Sequence, residues 1–237
     1  MNLSPKTPET ISIVIPVCNE VPGLPNLLKA LEPLDVREVI FADCGSTDGT
    51  DALLRQWAAA APGRRKVLTA PRGRGSQMNA GAAVATGEIL LFLHADTELP
   101  EGALGLIRRA MDNETVVGGA FRLHIDSPHF FLGWVTRAAN YRAAYLRLPY
   151  GDQGYFVRSA VFRRMGGYQT VPLMEDVDLI RRLKKEGRIV LLEKAVRTSA
   201  RRWERQGYYY TSLRNIILLG LYLFGVSPRR LAKWYSK

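Results

Sequence analysis

The sequence predicts an α/β fold: one domain in which a mostly parallel sheet is flanked by helices. Three observations point there. Short β-branched runs, of the kind that become strands buried on both faces, alternate with stretches of helical period. Clusters of Gly, Ser, Thr and Asp separate them. The 237 residues are 47% hydrophobic and 23% charged, ordinary globular composition that suits one such domain with an insertion and excludes extended disorder, collagen and coiled coil.

ISIVIPV at 11–17 is the first strand. A helical stretch from Leu24 to Leu31 leads to a second buried run, EVIFA at 38–42, and then to DCGSTDGT, whose turn and N-cap residues introduce an Ala/Leu-rich helix over 51–60. RKVLTA at 65–70 reads as a third strand, MNAGAAVAT at 78–86 as a helix, and EILLFLHAD at 88–96 as a fourth strand ending in polar residues. Right-handed helical crossovers between parallel strands are the economical arrangement of this order. A helix over 101–112 and the strand VVGGAFRLHI at 116–125 follow. Phe130, Trp134, Ala138, Tyr141, Tyr145 and Leu148 then recur at spacings of 4, 4, 3, 4 and 3, an aromatic helical face expected to pack on the sheet rather than to form a ligand platform. GYFVRSAVFRRMGGY at 154–168 reads as strand, short helix and turn, VDLIRRLKKEGR at 177–188 as an amphipathic helix broken at Gly187, and IVLLE at 189–193 as a strand.

Charge is unevenly distributed. The net charge is +11, yet residues 1–100 hold 9 Lys/Arg against 11 Asp/Glu, while 101–237 hold 24 against 11. From Arg197 onward nine Lys/Arg, the last of them Lys237, accompany one acid, Glu204. The start, MNLSPKTPET, has no apolar core of a signal peptide, and the longest apolar run, Ile216 to Val226, is 11 residues where a spanning helix needs about 20. Cys18 and Cys44 make no disulfide framework and have no metal-site spacing, so a reduced, cytosolic setting and two inert thiols are expected. A redox pair is the alternative, because both cysteines follow strands that should be neighbours.

In an open parallel sheet, ligands bind beyond the carboxyl ends of the strands. Pro16, Asn19 and Glu20 lie at the end of the first strand, Asp43, Ser46 and Asp48 after the second, Arg74 in RGRGS before the third helix, and His94, Ala95 and Asp96 after the fourth. Acids and amides suit a base and ribose, arginine forks and glycine-rich backbone suit phosphates, and a carboxylate suits hard Mg2+ or Mn2+. Each element has a plainer reading. GSTDGT is a good N-cap, RGRGS lacks the spacing of a dinucleotide or P-loop motif, and a lone His at a strand end is more often structural than a metal ligand.

PVCNE, ADCGSTDGT, MNAGAAVATGEILLFLHADTELP and MEDVDL, in this order over about residues 11–200, resemble the inverting family 2 glycosyltransferases of GT-A fold, a Rossmann-like architecture. RGRGSQMNAGA, LHADTELP and GDQGYFV resemble more closely a bacterial subgroup, the radical-SAM/selenodomain-associated transferases. The resemblance implies that Asp43 contacts the donor base, with Cys44 where a second acid is usual. His94-Ala95-Asp96 stands where the family has its Asp-x-Asp metal motif, so Asp96, with His94 as an alternative ligand, would hold the metal across the diphosphate. Glu175-Asp176 matches the acceptor-side acids, with Asp176 as general base. A helix amino terminus would favour its ionised form by about 0.3–1 kcal/mol. Asp152 either orients a sugar or caps a glycine-flanked turn. Arg202, in RRW, loosely resembles the Arg-Trp element that closes over the diphosphate in processive members, a solvated basic face being the alternative. Thr198 replaces the Gln of that pattern, which argues against a processive polymerase.

The resulting reading is a glycosyltransferase with a nucleotide-sugar-binding half at 11–124, an acceptor-side half at 125–200 and a basic carboxyl-terminal helical tail at 201–237. It would use a UDP- or GDP-sugar, a divalent metal, and a hydroxyl acceptor that is a small molecule or lipid-linked. It would work in the cytoplasm, with the tail packed on the domain, in a homodimer contact, or at the inner face of the membrane. Two rivals stand beside it. A sugar nucleotidyltransferase would need a glycine-rich basic loop where this chain has CNEVPGLP. A basic nucleic-acid or anionic-surface binding protein is suggested by the pI of about 9.9 and YYYTSLRN at 208–215, but no nucleic-acid motif is present and no nucleic-acid partner is expected.

Overall fold

The computed structural model describes residues 9–235, so MNLSPKTP at the amino terminus and Lys237 of the tail lie outside the described residues. β1 (Ile11–Val17), β2 (Glu38–Asp43), β3 (Arg65–Thr69) and β4 (Ile89–Phe92) run parallel in the order β3-β2-β1-β4, connected by α1 (Leu24–Leu31), α2 (Thr50–Ala59) and α3 (Arg74–Val84). β1, β2 and β4 are buried at every position, as continuous apolar runs covered on both faces require. Alternate side chains feed two cores. Ile13, Ile15, Phe41 and Leu91 join one, while Val14, Ile40, Leu90 and Phe92 join the other. The chain steps outward from β1 to β3 and then returns to the far side of β1 as β4, so the switch point lies between β1 and β4.

The sheet continues through β5 (Thr97–Glu98), α4 (Ala103–Met111), β6 (Val116–Asp126), α5 (Phe130–Tyr145), a 3-10 turn at Gly151–Gln153, β7 (Tyr155–Arg158), α6 (Ser159–Arg164), α7 (Glu175–Glu186) and β8 (Arg188–Ser199). Its order beyond β4 is β7-β6-β8-β5, with β7 and β5 antiparallel to their neighbours and β8 parallel to β6. The tail forms α8 (Arg201–Gln206), α9 (Tyr208–Leu223) and α10 (Pro228–Tyr235). Among the described residues no helix is long and apolar enough to cross a membrane.

At the amino end of β2, opposite the carboxyl ends of the strands, Glu38 is buried between β1 and β3. Its carboxylate accepts from Ser12 Oγ at 2.8 Å, Thr86 N at 2.6 Å and Lys66 Nζ at 2.5 Å. Burial works against its charge, but Lys66 and the hydrogen bonds from Thr86 and Ser12 prevail and hold its pKa down to about 2.

Five expectations are corrected. α3 begins at Arg74 rather than at 78, which puts that arginine in a helical first turn. β4 ends at Phe92, so His94 and Asp96 sit in the turn before β5, and β8 runs on to Ser199 because Arg197 and Thr198 pair with β5. The aromatic face of α5 points outward, with Phe130 71% and Tyr145 72% exposed. The cause lies in β6, whose outer backbone lacks a strand partner on that side: Asn140 Oδ1 accepts from Leu123 N at 2.8 Å and Nδ2 donates to Leu123 O at 2.9 Å, so the polar and small face, with Ala139 and Ala143, turns inward. Cys18 and Cys44 are joined in a disulfide with Cα atoms 5.4 Å apart, not left as thiols. They directly follow Val17 and Asp43, which are paired across β1 and β2.

Candidate active site

Helix α7 starts where Met174 adopts a left-handed backbone, φ 66°, and delivers Glu175 and Asp176 to its first turn. There the helix dipole favours carboxylates. Oδ2 of Asp176 accepts from Gly151 N at 2.9 Å and Oδ1 from Val177 N at 2.8 Å. The 3-10 turn carrying Gly151 is anchored by Gln153, which accepts from Tyr150 N at 3.0 Å and donates to Phe121 O of β6 at 2.9 Å. A Cβ at position 151 would stand 3.1 Å from His94 Nε2 and 3.6 Å from Asp176 Oδ2, so glycine lets the turn, the β4–β5 loop and α7 converge.

They converge on a cavity of about 490 Å3. Its polar side carries Arg74, His94, Asp96, Asp152, Glu175, Asp176 and Arg202, and its apolar walls come from Phe131, Trp134 and Val135 of α5 and Ile216 and Leu219 of α9. Burial, then the charges of Arg74 and Arg202, lower the pKa of His94 to about 3, so the imidazole is neutral. Burial pushes Asp152 up to about 6, with Asp176 and Asp96 adding to the rise and Arg142 opposing it. Glu175 is raised by burial and by Asp176, against the pull of Arg74 at 3.8 Å. Arg74 itself loses solvation, yet the charges of Glu175 and Asp176 raise its pKa. Arg142 places its guanidinium 3.4 Å from the Tyr150 ring centroid and donates from Nε to Leu148 O at 2.8 Å. Burial lifts Tyr150 to about 12 and keeps it neutral.

Among the described residues no three His, Cys, Asp or Glu side chains gather into a metal site. Asp96 nevertheless lines the cavity, where His94 Nε2 and Asp152 Oδ1 are buried without a hydrogen-bond partner. That donor set fits a divalent ion held by one or two protein groups plus phosphate oxygens of a substrate, the usual manner for Mg2+, and does not fit an all-protein cage.

Of the residues expected from sequence, Asp176, Glu175, Asp152, Asp96, His94, Arg74 and Arg202 meet at this cavity. Pro16, Asn19, Glu20, Asp43, Ser46, Asp48 and Ala95 do not line it. Most of these form a separate network at the ends of β1 and β2, beside the disulfide. Asp43 Oδ2 accepts from Gly45 N and Ser46 N, each at 2.9 Å, and the Ser46 hydroxyl donates to Asp43 Oδ1. Asn19 bridges the two loops, its N donating to Ser46 Oγ at 2.9 Å and its Oδ1 accepting from Thr47 N at 2.8 Å. Asp48 accepts from Thr50 and from Val21 N, and the Thr50 hydroxyl in particular lowers its pKa. Glu20 pairs with Arg201 at 3.2 Å, and Pro16 stands opposite Ala42 within the sheet. Sequence reasoning missed Arg142, Tyr150 and the apolar walls. Arg142 follows directly on Tyr141 of the aromatic stripe, and no spacing marks it as part of a site.

A family model described as glycosyl transferase family 2 matches residues 12–166. An undecaprenyl-phosphate 4-deoxy-4-formamido-L-arabinose transferase from Sodalis glossinidius is 37% identical over 133 residues, covering 52% of this chain and 40% of the relative. The protein of the same name from Aeromonas hydrophila is 38% identical over 126 residues, covering 49% and 38%. The matches thus span about two fifths of these relatives' length. Among solved structures, the mannosyltransferase PcManGT from Pyrobaculum calidifontis, in complex with GDP-Man and Mn2+, superimposes with a TM-score of 0.64 at 20% identity, over 83% of this chain and 58% of that one. S. aureus TarS 1-349 in complex with UDP gives 0.65 at 18%, over 80% and 60%. These structural likenesses show the GT-A fold, and with a family model matching well over half of its length the chain belongs to glycosyl transferase family 2.

Proposed function

We propose that this glycosyltransferase moves a sugar from a nucleoside diphosphate donor to an acceptor with inversion, Asp176 serving as general base. The observation that carries the reading is the meeting of Asp176, at the amino terminus of α7, with Asp96, Arg74 and Arg202 around one cavity. The acceptor hydroxyl would give its proton to Asp176 as its oxygen attacks the anomeric carbon. The carbon–oxygen bond to the diphosphate breaks on the opposite face, and the electron pair leaves with the nucleoside diphosphate. Arg74 and Arg202 would offset that charge. Asp96 would hold Mg2+ or Mn2+, which when bound neutralises the diphosphate. The nucleotides in the structural neighbours support a GDP- or UDP-sugar donor. The RGRGS, HAD and GDQG segments support the radical-SAM-associated subgroup.

A second reading concerns the acceptor. Arg142 Nη2 is buried without a hydrogen-bond partner, and the cavity walls from α5 and α9 are apolar. With the names of the relatives, this favours a lipid-linked acceptor whose phosphate, rather than a hydroxyl, is glycosylated. Incubation with labelled UDP- and GDP-sugars, Mn2+, and either polyprenyl phosphate or soluble glycosides tests both readings. Transfer with inverted configuration, abolished in Asp96→Ala, is expected. A retained configuration, or no transfer from any donor, refutes the proposal.

A further inference from the structure

The face that α5, α9 and α10 turn to solvent is built against ordinary folding economy. On α9, Tyr209, Leu213, Ile216, Ile217 and Leu223 are exposed, with Phe224 beyond it, at spacings that put them along one stripe. The inward face of the same helix holds Thr211 and Ser212 beside a single buried leucine, Leu218. Ile216 is 68% and Phe224 91% exposed. On α5 the aromatic stripe of Phe130, Trp134, Tyr141 and Tyr145 is likewise outside, and Trp234 is exposed on α10. The helices are joined, since Phe131 packs on Tyr209 with ring centroids 4.5 Å apart, His129 stacks on Tyr208 at 4.0 Å, and the Arg214 guanidinium of α9 lies 4.4 Å from the Tyr235 ring centroid of α10. Contiguous apolar exposure of this kind marks an interaction site.

Charge selects the occupant. The exposed cations of the three helices are Arg137, Arg229, Arg230 and Lys233, and the helices contain no Asp or Glu. A second copy would bring this cationic patch against itself in a two-fold contact, where like charges repel. An anionic bilayer suits both properties: Trp, Tyr and aliphatic side chains enter the interface while Lys and Arg meet acidic headgroups. Trp134 and Ile216 belong to the exposed stripes and also line the candidate active-site cavity, so the surface is continuous with that cavity's mouth. We infer that α5, α9 and α10 form a docking face that seats the enzyme on an anionic phospholipid surface with the mouth of the cavity at the lipid. This goes beyond the transfer reaction proposed above, and binding is measured without turnover, so the two can fail separately.

Flotation with vesicles of phosphatidylglycerol and phosphatidylethanolamine, against phosphatidylcholine alone, tests it on the full chain. Wild type should float with the anionic vesicles only, and 0.5 M salt should weaken the binding. Arg229→Gln with Arg230→Gln should reduce anionic binding by about tenfold or more. Leu213→Glu with Phe224→Glu should abolish it at an unchanged melting temperature, because both side chains are already in solvent. Failure of wild type to float, equal binding to neutral vesicles, or a dimer in sedimentation that both variants dissociate would each overturn the inference.

Discussion

The backbone N–H of Gly151 donates to Oδ2 of Asp176 at 2.9 Å, tying the turn after α5 to the first turn of α7. Because a side chain at 151 would also meet His94 Nε2 at 3.1 Å, one glycine sets the spacing of three elements that line the cavity. In Gly151→Ala the added methyl must push the turn or the imidazole aside and lengthen the bond to Asp176. We expect kcat to fall by about 10- to 100-fold, since a misplacement of roughly 1 Å costs about that much. Nucleotide affinity measured by calorimetry should stay within a few-fold of wild type.

Asp176→Asn separates the two acceptor readings. A hydroxyl acceptor needs its proton removed, a contribution of about 100 to 10,000-fold, and the variant should lose that much while still binding nucleotide. A phosphate acceptor is already ionised at neutral pH and should lose far less. Initial rates of the variant with soluble glycosides and with polyprenyl phosphate show which acceptor is used. Retention of most turnover with both would remove Asp176 from the mechanism.

Asp152 should cost stability at neutral pH. Its folded pKa is pushed up to about 6 from 3.8, chiefly by burial, so between these values the folded chain binds more protons than the unfolded one. Stability therefore falls as pH rises through that window, by on the order of 3 kcal/mol for this group, and the cost is fully present above pH 6. Asp152→Asn should melt higher than wild type at pH 7.5 and like it near pH 3.5. Thermal melts across pH check this, and an unchanged difference at both ends would show that Asp152 is not destabilised by its surroundings.

Glu38 predicts the opposite slope. Its pKa is lowered from 4.5 to about 2, so its stabilisation is present above pH 4.5 and disappears as pH falls toward 2. Glu38→Gln should lose on the order of 2 kcal/mol at pH 7 and become nearly neutral at pH 2, as read from urea unfolding.

Much of the fold was legible because parallel strands covered on both faces leave unbroken β-branched runs such as ISIVIPV, and the crossover helices start at clusters like GSTDGT. The acids at strand and helix ends were legible for a related reason. Such a site is assembled from short contiguous segments whose residue types already suit anions and cations. The sequence places Asn19, Asp43 and Ser46 together at adjacent strand ends. That their polar atoms bond among themselves beside a disulfide, outside the large cavity, follows from two loops meeting side by side.

By itself, then, the sequence determined the alternation of strands and helices, the family, and the acids that cluster at the strand ends, because each depends on residues close together in the chain. Only the tertiary structure decided which way α5 faces, that Arg142 and Tyr150 join Asp152 at the cavity, and that three acid-free helices share one exposed apolar surface. The outer backbone of β6 needed hydrogen-bond partners, Asn140 supplied them, and the aromatic stripe on the opposite side of the helix was left to solvent. A helical period shows that a stripe exists; which stripe is buried depends on what the neighbouring strand lacks.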